Sequence, residues 1–215
     1  MIKLWHCYNT RSLRPLWALA EMQLEHEVIS LPFPPRYLDK SFLDINTLGT
    51  VPFFANGETT LTESSAILLY LVERYQQYNF GVSSDHPEYG DYLNWLFQSD
   101  ATLTFPQAIV LRYSQFESLD RQSEQVSEDY KKWFLARLKR LDQHLLDREY
   151  LCAAKFTVAD IAVGYALFLG EQLGLDKYYQ PQTLNYLQRL KARPAFNAMK
   201  DVGKDIANYK IKPMN

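Results

Sequence analysis

Two stretches of sequence decide the fold: Thr50-Val51-Pro52-Phe53-Phe54 and, beyond a turn, Glu63-Ser64-Ser65. The first is β-prone and carries a proline near its start, where a strand tolerates proline because the ladder does not need the missing N–H. An X–Pro bond also makes a cis peptide accessible. A cis bond before Pro52 would turn the backbone of Val51 outward and leave its N–H and C=O free to bind an extended ligand.

The second stretch opens a helix with an acid and two hydroxyls beside unpaired backbone N–H groups. A helix N-terminus binds a carboxylate and a neighbouring acid binds an amine, so Glu63 and Ser64 together suit an amino-acid zwitterion. A peptide backbone along Val51 and a zwitterion at Glu63 and Ser64 are what a short γ-linked peptide would need.

Composition narrows the class of protein. The chain has 215 residues and a net charge of −2 from 23 basic and 25 acidic side chains, which argues against a nucleic-acid groove or an anionic membrane surface. The two cysteines, Cys7 and Cys152, suggest a reducing compartment and have no metal-ligand spacing. No signal peptide is visible, and the longest apolar stretch, residues 161–169, is too short to span a bilayer. We therefore expect a soluble, cytoplasmic protein.

Strand and helix patterns divide the chain. Residues 1–80 predict the order β-α-β-α-β-β-α, with Asn56-Gly57 as a hairpin turn, and therefore a mixed four-stranded sheet. Residues 81–87 are predicted to be a linker, and residues 88–215 an all-helical domain. Its first helix is long and is expected to bend near Pro106, where a hydrogen bond is lost.

A capping pattern marks the start of the most apolar helix. Thr157 stands three residues before Asp160, which predicts a capping box ahead of a helix that is apolar on nearly every side. Asp160 is therefore expected to be structural rather than catalytic.

Five segments together carry a resemblance to a known family. They are Asn46–Pro52, Leu61–Ile67, Tyr92–Leu96, Phe156–Ile161 and Arg193–Phe196. In this order and spacing they resemble the cytosolic glutathione S-transferases, of the bacterial type with a serine- or threonine-like N-terminal site. The resemblance covers nearly the whole chain. It implies an α/β thioredoxin-like N-terminal domain that binds glutathione and an all-α C-terminal bundle.

The same resemblance implies where glutathione would lie. The backbone of Val51, beside a cis Pro52, would pair with the cysteinyl unit. Glu63 would hold the γ-glutamyl ammonium, and the Ser64 hydroxyl and N–H would hold its carboxylate. Thr50 stands where many members carry a lysine that reaches the glycine carboxylate, and Lys40 is a candidate for the missing charge.

The thiol donor is open at this point. Only the thiolate of glutathione attacks, so the enzyme must stabilise it with a hydrogen bond and positive potential. The match to family members places their serine on Thr10, whose hydroxyl can donate the same bond. Ser12, Tyr8 and Asn9 are rivals, while Thr10 and Ser12 also fit simple N-caps of the first helix.

The implied function is transfer of glutathione to a small apolar electrophile. Glutathione is then a co-substrate, no other cofactor or metal is expected, and the family implies a homodimer. Neither a nucleic acid nor a membrane is an expected partner. A non-catalytic interaction module stays open as an alternative, as do a glutathione-dependent isomerase, dehalogenase or disulfide reductase.

Overall fold

The computed structural model of the chain describes residues 1–214, whose contacts form two compact units. The first unit contains Met1–Gly81 together with Lys191–Lys210, and the second contains Val82–Leu190 together with residues 211–214. The predicted domains, residues 1–80 and 88–215, remain a prediction. No helix among residues 1–214 has the length and apolar character needed to cross a lipid bilayer.

The first unit is a sheet with helices. Its elements are β1 (Ile2–His6), α1 (Leu13–Glu21), β2 (His26–Ser30), α2 (Pro35–Leu38), α3 (Phe42–Ile45), β3 (Phe53–Asn56), β4 (Thr59–Leu61) and α4 (Ser64–Arg74). The sheet order is β2-β1-β3-β4. Strand β1 is parallel to β2 and antiparallel to β3, which is antiparallel to β4. The predicted mixed four-stranded sheet is therefore confirmed.

Alternation along β1 sorts its side chains between two faces. Ile2, Leu4 and His6 are buried on one face. The next residue, Cys7, belongs to a separate apolar cluster with Val51. That cluster also contains Leu31, Phe42 and Phe53. The polar side chain of His6 thus lies on a buried face, and Val51 is anchored by its own side chain.

The second unit is helical. Its helices are α5 (Tyr89–Gln98), α6 (Phe105–Leu111), α7 (Glu124–His144), α8 (Val158–Gln172) and α9 (Pro181–Lys191). The predicted long helix with a bend at Pro106 is interrupted by two π-helical segments, Ser99–Thr104 and Arg112–Phe116. Proline lacks the N–H for an α-helical bond, so the turn before it widens. The hydroxyl of Thr104 donates to the Ser99 carbonyl at 2.7 Å within this wider turn.

The chain contributes one more helix, α10 (Pro194–Met199), to the first unit. Arg193 donates to both carboxylate oxygens of Glu21 on α1, at 2.6 and 2.8 Å. The ring of Phe196 packs against Trp17 at 5.0 Å between centroids. These contacts explain why the Arg193-Pro194 motif opens a segment that packs on α1.

Candidate functional site

The register of the sheet brings the loop after β1 and the Val51-Pro52 stretch together at one end of the sheet. Trp5 pairs with Phe53 in antiparallel sense, so the loop that leaves β1 lies beside Val51 and Pro52, which enter β3. The Val51–Pro52 peptide bond is cis, as expected. Among residues 1–214, neither the N–H nor the C=O of Val51 has a hydrogen-bond partner. A backbone segment with one free donor and one free acceptor can bind an extended peptide.

The turn before Val51 is held by Asn46. Its amide donates to the Thr50 carbonyl at 2.9 Å, and its side-chain oxygen accepts from the Leu48 N–H at 3.2 Å. Gly49 has φ of +59°, and a Cβ there would lie 2.5 Å from the Cβ of Arg36. The turn is therefore held by the two hydrogen bonds of the Asn46 side chain. Position 49 must be a glycine, because Arg36 approaches its backbone closely.

The N-terminus of α4 places Glu63 and Ser64 in different environments. Glu63 is exposed at the N-cap, and its carboxylate has no hydrogen bond or ion pair within residues 1–214. Ser64 is fully buried and accepts a hydrogen bond from Nη1 of Arg14 at 3.0 Å. Arg14, on α1, is itself fully buried. A helix N-terminus backed by a buried guanidinium and flanked by an exposed carboxylate favours a zwitterion.

The loop between β1 and α1 carries the candidate thiol donors. Asn9 adopts a left-handed backbone conformation with φ of +55°, and its buried side-chain oxygen has no partner among residues 1–214. Thr10 is partly buried, and its hydroxyl lies 2.8 Å from the Cys7 carbonyl and 2.7 Å from the Ser12 hydroxyl. Thr10 is therefore the more accessible of the two predicted hydroxyls.

Ser12 is fully buried and bonded inward. It occupies the N-cap position of α1, but its side chain makes no capping hydrogen bond. Its oxygen lies 2.8 Å from Nδ1 of His6 and accepts from the Cys7 N–H at 3.3 Å. Ser12 thus stands at the N-cap position, as the capping interpretation predicts, but its hydroxyl is bonded to the sheet and not to the helix.

Cys7 is unsuited to thiol chemistry. Burial raises the pKa of its thiol to about 12, and the thiol donates to the Pro32 carbonyl at 3.6 Å. A protonated, fully buried thiol is a poor nucleophile. Cys7 therefore packs in the core as a protonated thiol.

Sequence comparison places the chain in a family. A model of the N-terminal domain of glutathione S-transferases matches residues 1–73. Glutathione S-transferase 2 of Schizosaccharomyces pombe is 31% identical over 90% of this chain and 91% of its own. The chain belongs to the glutathione S-transferase family. Glutathione S-transferase 1 of the same yeast is 29% identical over 91% of this chain and 93% of its own.

The fold of the transferase agrees with this assignment. The structure of a sphingomonad glutathione S-transferase in complex with glutathione has a TM-score of 0.81 to this chain, with 23% sequence identity. The likeness covers 94% of this chain and 98% of the sphingomonad protein. The predicted combination of a thioredoxin-like N-terminal part with a helical C-terminal part is therefore confirmed.

The structure adds three residues to the candidate site of the transferase. His6 contacts Ser12, Arg14 contacts Ser64, and Arg36 packs against the turn before Thr50. His6 can be recognised from the sequence, because a polar residue is unusual at a strand position that alternation predicts to be buried. No local pattern signals Arg36, because only the fold brings residue 36 beside residue 49. Lys40 and Thr50 are both exposed.

Proposed function

We propose that this glutathione transferase joins the thiolate of glutathione to small apolar electrophiles. The observation that carries the proposal is the unpaired backbone of Val51 beside the Thr10 loop. An extended cysteinyl unit that pairs with Val51 would direct its sulfur toward the end of β1, where Thr10 lies. Catalysis is then stabilisation of the thiolate together with proximity of the electrophile.

The γ-glutamyl end binds at α4. Glu63 holds the ammonium, because its carboxylate is exposed and has no protein partner within residues 1–214. The N–H and hydroxyl of Ser64 hold the carboxylate, and the buried guanidinium of Arg14 behind Ser64 adds positive potential. Thr50 and Lys40 are the proposed contacts for the glycine end, and Arg36 is a rival source of positive charge.

Thr10 is the proposed thiol donor. Its hydroxyl is partly buried at the surface of the loop, whereas Ser12 is fully buried. The start of α1 follows at Leu13, so the thiolate would also lie near a helix N-terminus. A hydroxyl donor with a helix dipole behind it lowers the thiol pKa of a bound ligand.

The assembly and location follow the family. We place the protein in the cytoplasm as a homodimer, with no nucleic acid or membrane as partner. Both cysteines are free and buried, which supports a reducing compartment. Phe105 and Trp133 are exposed apolar side chains of the second unit that both contact the ring of Tyr130, which supports a face that a dimer would cover. Analytical ultracentrifugation tests the dimer, and a monomer at micromolar concentration would refute it.

Glutathione binding and turnover test the function directly. Isothermal titration should detect glutathione, and Glu63→Gln or Ser64→Ala should each weaken binding by about 1–3 kcal/mol because each leaves a ligand charge unpaired. Glu58→Gln, an exposed acid in the hairpin, is the matched control and should bind normally. The wild type should conjugate a chlorinated nitrobenzene. Undetectable binding, or equal affinity in all three variants, would remove the proposed site.

A further inference from the structure

A continuous chain of hydrogen bonds runs from the surface of the loop into the first unit. The Thr10 hydroxyl lies 2.7 Å from the Ser12 hydroxyl, which lies 2.8 Å from Nδ1 of His6. Nε2 of His6 lies 3.2 Å from the Val202 carbonyl. Ser12 and His6 are buried, and only Thr10 reaches partly to the surface.

The protons of this chain have one consistent arrangement. A carbonyl can only accept, so the bond to Val202 places a proton on Nε2 of His6. Burial lowers the pKa of His6 to about 4, so the ring is neutral near pH 7 and its Nδ1 is an acceptor. Ser12 therefore donates its one proton to His6 at 2.8 Å, in preference to the Cys7 carbonyl at 3.4 Å, and has none for a sulfur atom. Toward Thr10, the oxygen of Ser12 is an acceptor.

The Thr10 hydroxyl, in contrast, can turn its proton from its internal acceptors toward a ligand at little energetic cost. Its two internal acceptors are the Ser12 hydroxyl and the Cys7 carbonyl. The Ser12 oxygen also accepts from the Cys7 N–H at 3.3 Å, and the Cys7 carbonyl also accepts from the Thr10 N–H at 3.3 Å. Neither acceptor would be left without a donor if the hydroxyl turned toward a ligand, so no buried group becomes unpaired.

The C-terminal part of the first unit holds the far end of the chain in place. Gly203 has φ of +75°, and a Cβ there would lie 3.2 Å from Ser30 Oγ and 3.6 Å from His6. The hydroxyl of Tyr209 donates to the Tyr8 carbonyl at 2.6 Å, on the loop that carries Thr10. Residues 202–209 therefore contact His6 at one end of the hydrogen-bond chain and the loop that carries Thr10 at the other.

We propose that Ser12 and His6 are positioning residues for the Thr10 hydroxyl, and that the Val202 carbonyl selects the histidine tautomer that makes Ser12 an acceptor toward Thr10. This inference rests on the proposed role of Thr10 as thiol donor. Capping of α1 does not account for Ser12, since its side chain makes no capping bond. The hydrogen bonds of the Ser12 hydroxyl lead to His6 in β1, to Cys7 directly after it and to Thr10.

Two substitutions of His6 separate positioning from simple packing. In His6→Asn, the amide oxygen takes the place of Nδ1 and can still accept from Ser12. In His6→Gln, the amide nitrogen takes the place of Nε2 and can still donate to Val202, but the acceptor for Ser12 is lost. Both variants remove the ring, and asparagine is the smaller side chain, so a loss of packing alone would damage His6→Asn at least as much as His6→Gln.

The readout is the thiol pKa of bound glutathione, followed by thiolate absorbance against pH, with kcat and the KM for glutathione measured beside it. We expect His6→Gln and Ser12→Ala to raise that thiol pKa by about one unit and to lower kcat about tenfold near pH 7, with KM changed less than about twofold. His6→Asn should recover most of the loss. His144→Gln, which replaces a histidine bonded to the Leu151 carbonyl in the second unit, is the control and should leave the thiol pKa unchanged.

A double-mutant cycle supplies a second, independent test. If Ser12 acts through Thr10, adding Ser12→Ala to Thr10→Val should change the thiol pKa no further. Full additivity of the two substitutions, or equal damage from His6→Asn and His6→Gln, would overturn the inference while leaving glutathione transfer intact. A wild type that fails to bind glutathione, or binds it with an unshifted thiol pKa, would instead overturn the proposed function.

Discussion

Each unit of the chain has a buried polar cluster at the start of a helix, and the two clusters differ in how completely they are closed. In the second unit, Asp160 accepts from the N–H groups of Leu151 and Thr157, at 3.0 and 2.8 Å. It also accepts from the hydroxyls of Thr157 and Tyr186, at 3.1 and 2.8 Å. Four donors match the capacity of one carboxylate, so nothing remains for a ligand.

The cluster in the first unit is open at one end. Ser12 and His6 are buried and paired, but Thr10 reaches the surface with a proton that has alternative acceptors. The buried side-chain oxygen of Asn9, on the same loop, has no partner among residues 1–214. A polar cluster that is closed stabilises a fold, while one with spare capacity at the surface can serve a ligand.

The clusters also respond to acid in opposite directions. Burial lowers the pKa of His6 from 6.5 to about 4. Burial raises the pKa of Asp160 from 3.8 to about 6, although its hydrogen bonds favour the ionised form. Protonation therefore destabilises the folded state at His6 and stabilises it at Asp160.

Breaking the closed cluster should have the largest effect. Asp160→Ala leaves buried donors on Leu151, Thr157 and Tyr186 unpaired, and we expect a loss of about 4 kcal/mol in the free energy of unfolding. Urea denaturation measures it. Thr183→Val, which removes one partly buried hydrogen bond to Asp142 in the same unit, is the control and should cost about 1 kcal/mol. Similar losses in the two variants would mean that the closed cluster is not a stability centre.

Lowering the pH should change the stability of the two units in opposite directions, and this effect should be somewhat smaller. His6 contributes stability above pH 6.5 that is lost as pH falls toward 4, and the full change is about 3 kcal/mol. Asp160 acts in reverse, because stability falls as pH rises from 3.8 to 6. Hydrogen exchange at pH 7 and pH 5, corrected for intrinsic rates, should show weaker protection of β1 and α1 at pH 5.

His6→Gln sharpens this measurement, since glutamine does not titrate. The variant should lose most of the acid sensitivity of the first unit, while α8 should behave as in the wild type. Unchanged protection of β1 at pH 5 in the wild type, or an equal pH dependence in His6→Gln, would contradict the assignment of the effect to His6.

The sequence predicts the closed cluster better than the open one, for a physical reason. Thr157 and Asp160 are three residues apart, so a local helix pattern reveals their bond to each other. Their partner Tyr186 comes from a different helix and carries no local signal. The mixed sheet and cis Pro52 were likewise predictable, the first from strand and turn patterns and the second from the family motif.

The open cluster depends on contacts between distant parts of the chain. Thr10 and Ser12 can be identified from the sequence as candidates. Their different hydrogen-bond roles, however, depend on the contact between His6 and Val202, which are 196 positions apart. The pairing of Arg14 with Ser64 spans 50 positions and escapes local analysis in the same way. Residue types and spacing thus identify the loop, while the fold decides which hydroxyl can reach a ligand.

Removing the open end of the cluster should impair catalysis more than stability. Thr10→Val removes the donor while keeping the shape, and we expect kcat/KM for a chlorinated nitrobenzene to fall about a hundredfold, close to 2.7 kcal/mol. Thr10→Ser keeps the hydroxyl and should retain most of the activity. The free energy of unfolding should change by less than about 1 kcal/mol in both variants. Equal activity of Thr10→Val and the wild type would exclude Thr10 as the thiol donor.

The smallest expected effect is on the binding of the glycine end of glutathione. Here the fold favours Arg36 as the positive charge, while the sequence favours Lys40. The Cβ of Arg36 lies against Gly49, directly before Thr50, whereas Lys40 is a candidate by its charge alone. An exposed ion pair with a carboxylate contributes about 0.2–1 kcal/mol, so Arg36→Ala should weaken glutathione binding by at most about fivefold. Lys40→Ala should have less effect, and the loss in Arg36→Ala should shrink as salt is raised because exposed charges are screened.

Titration with glutathione and with γ-glutamylcysteine, which lacks the glycine, makes the test specific. If Arg36→Ala weakens both ligands equally, the guanidinium does not contact the glycine carboxylate, and Lys40 or the hydroxyl of Thr50 remains as its partner.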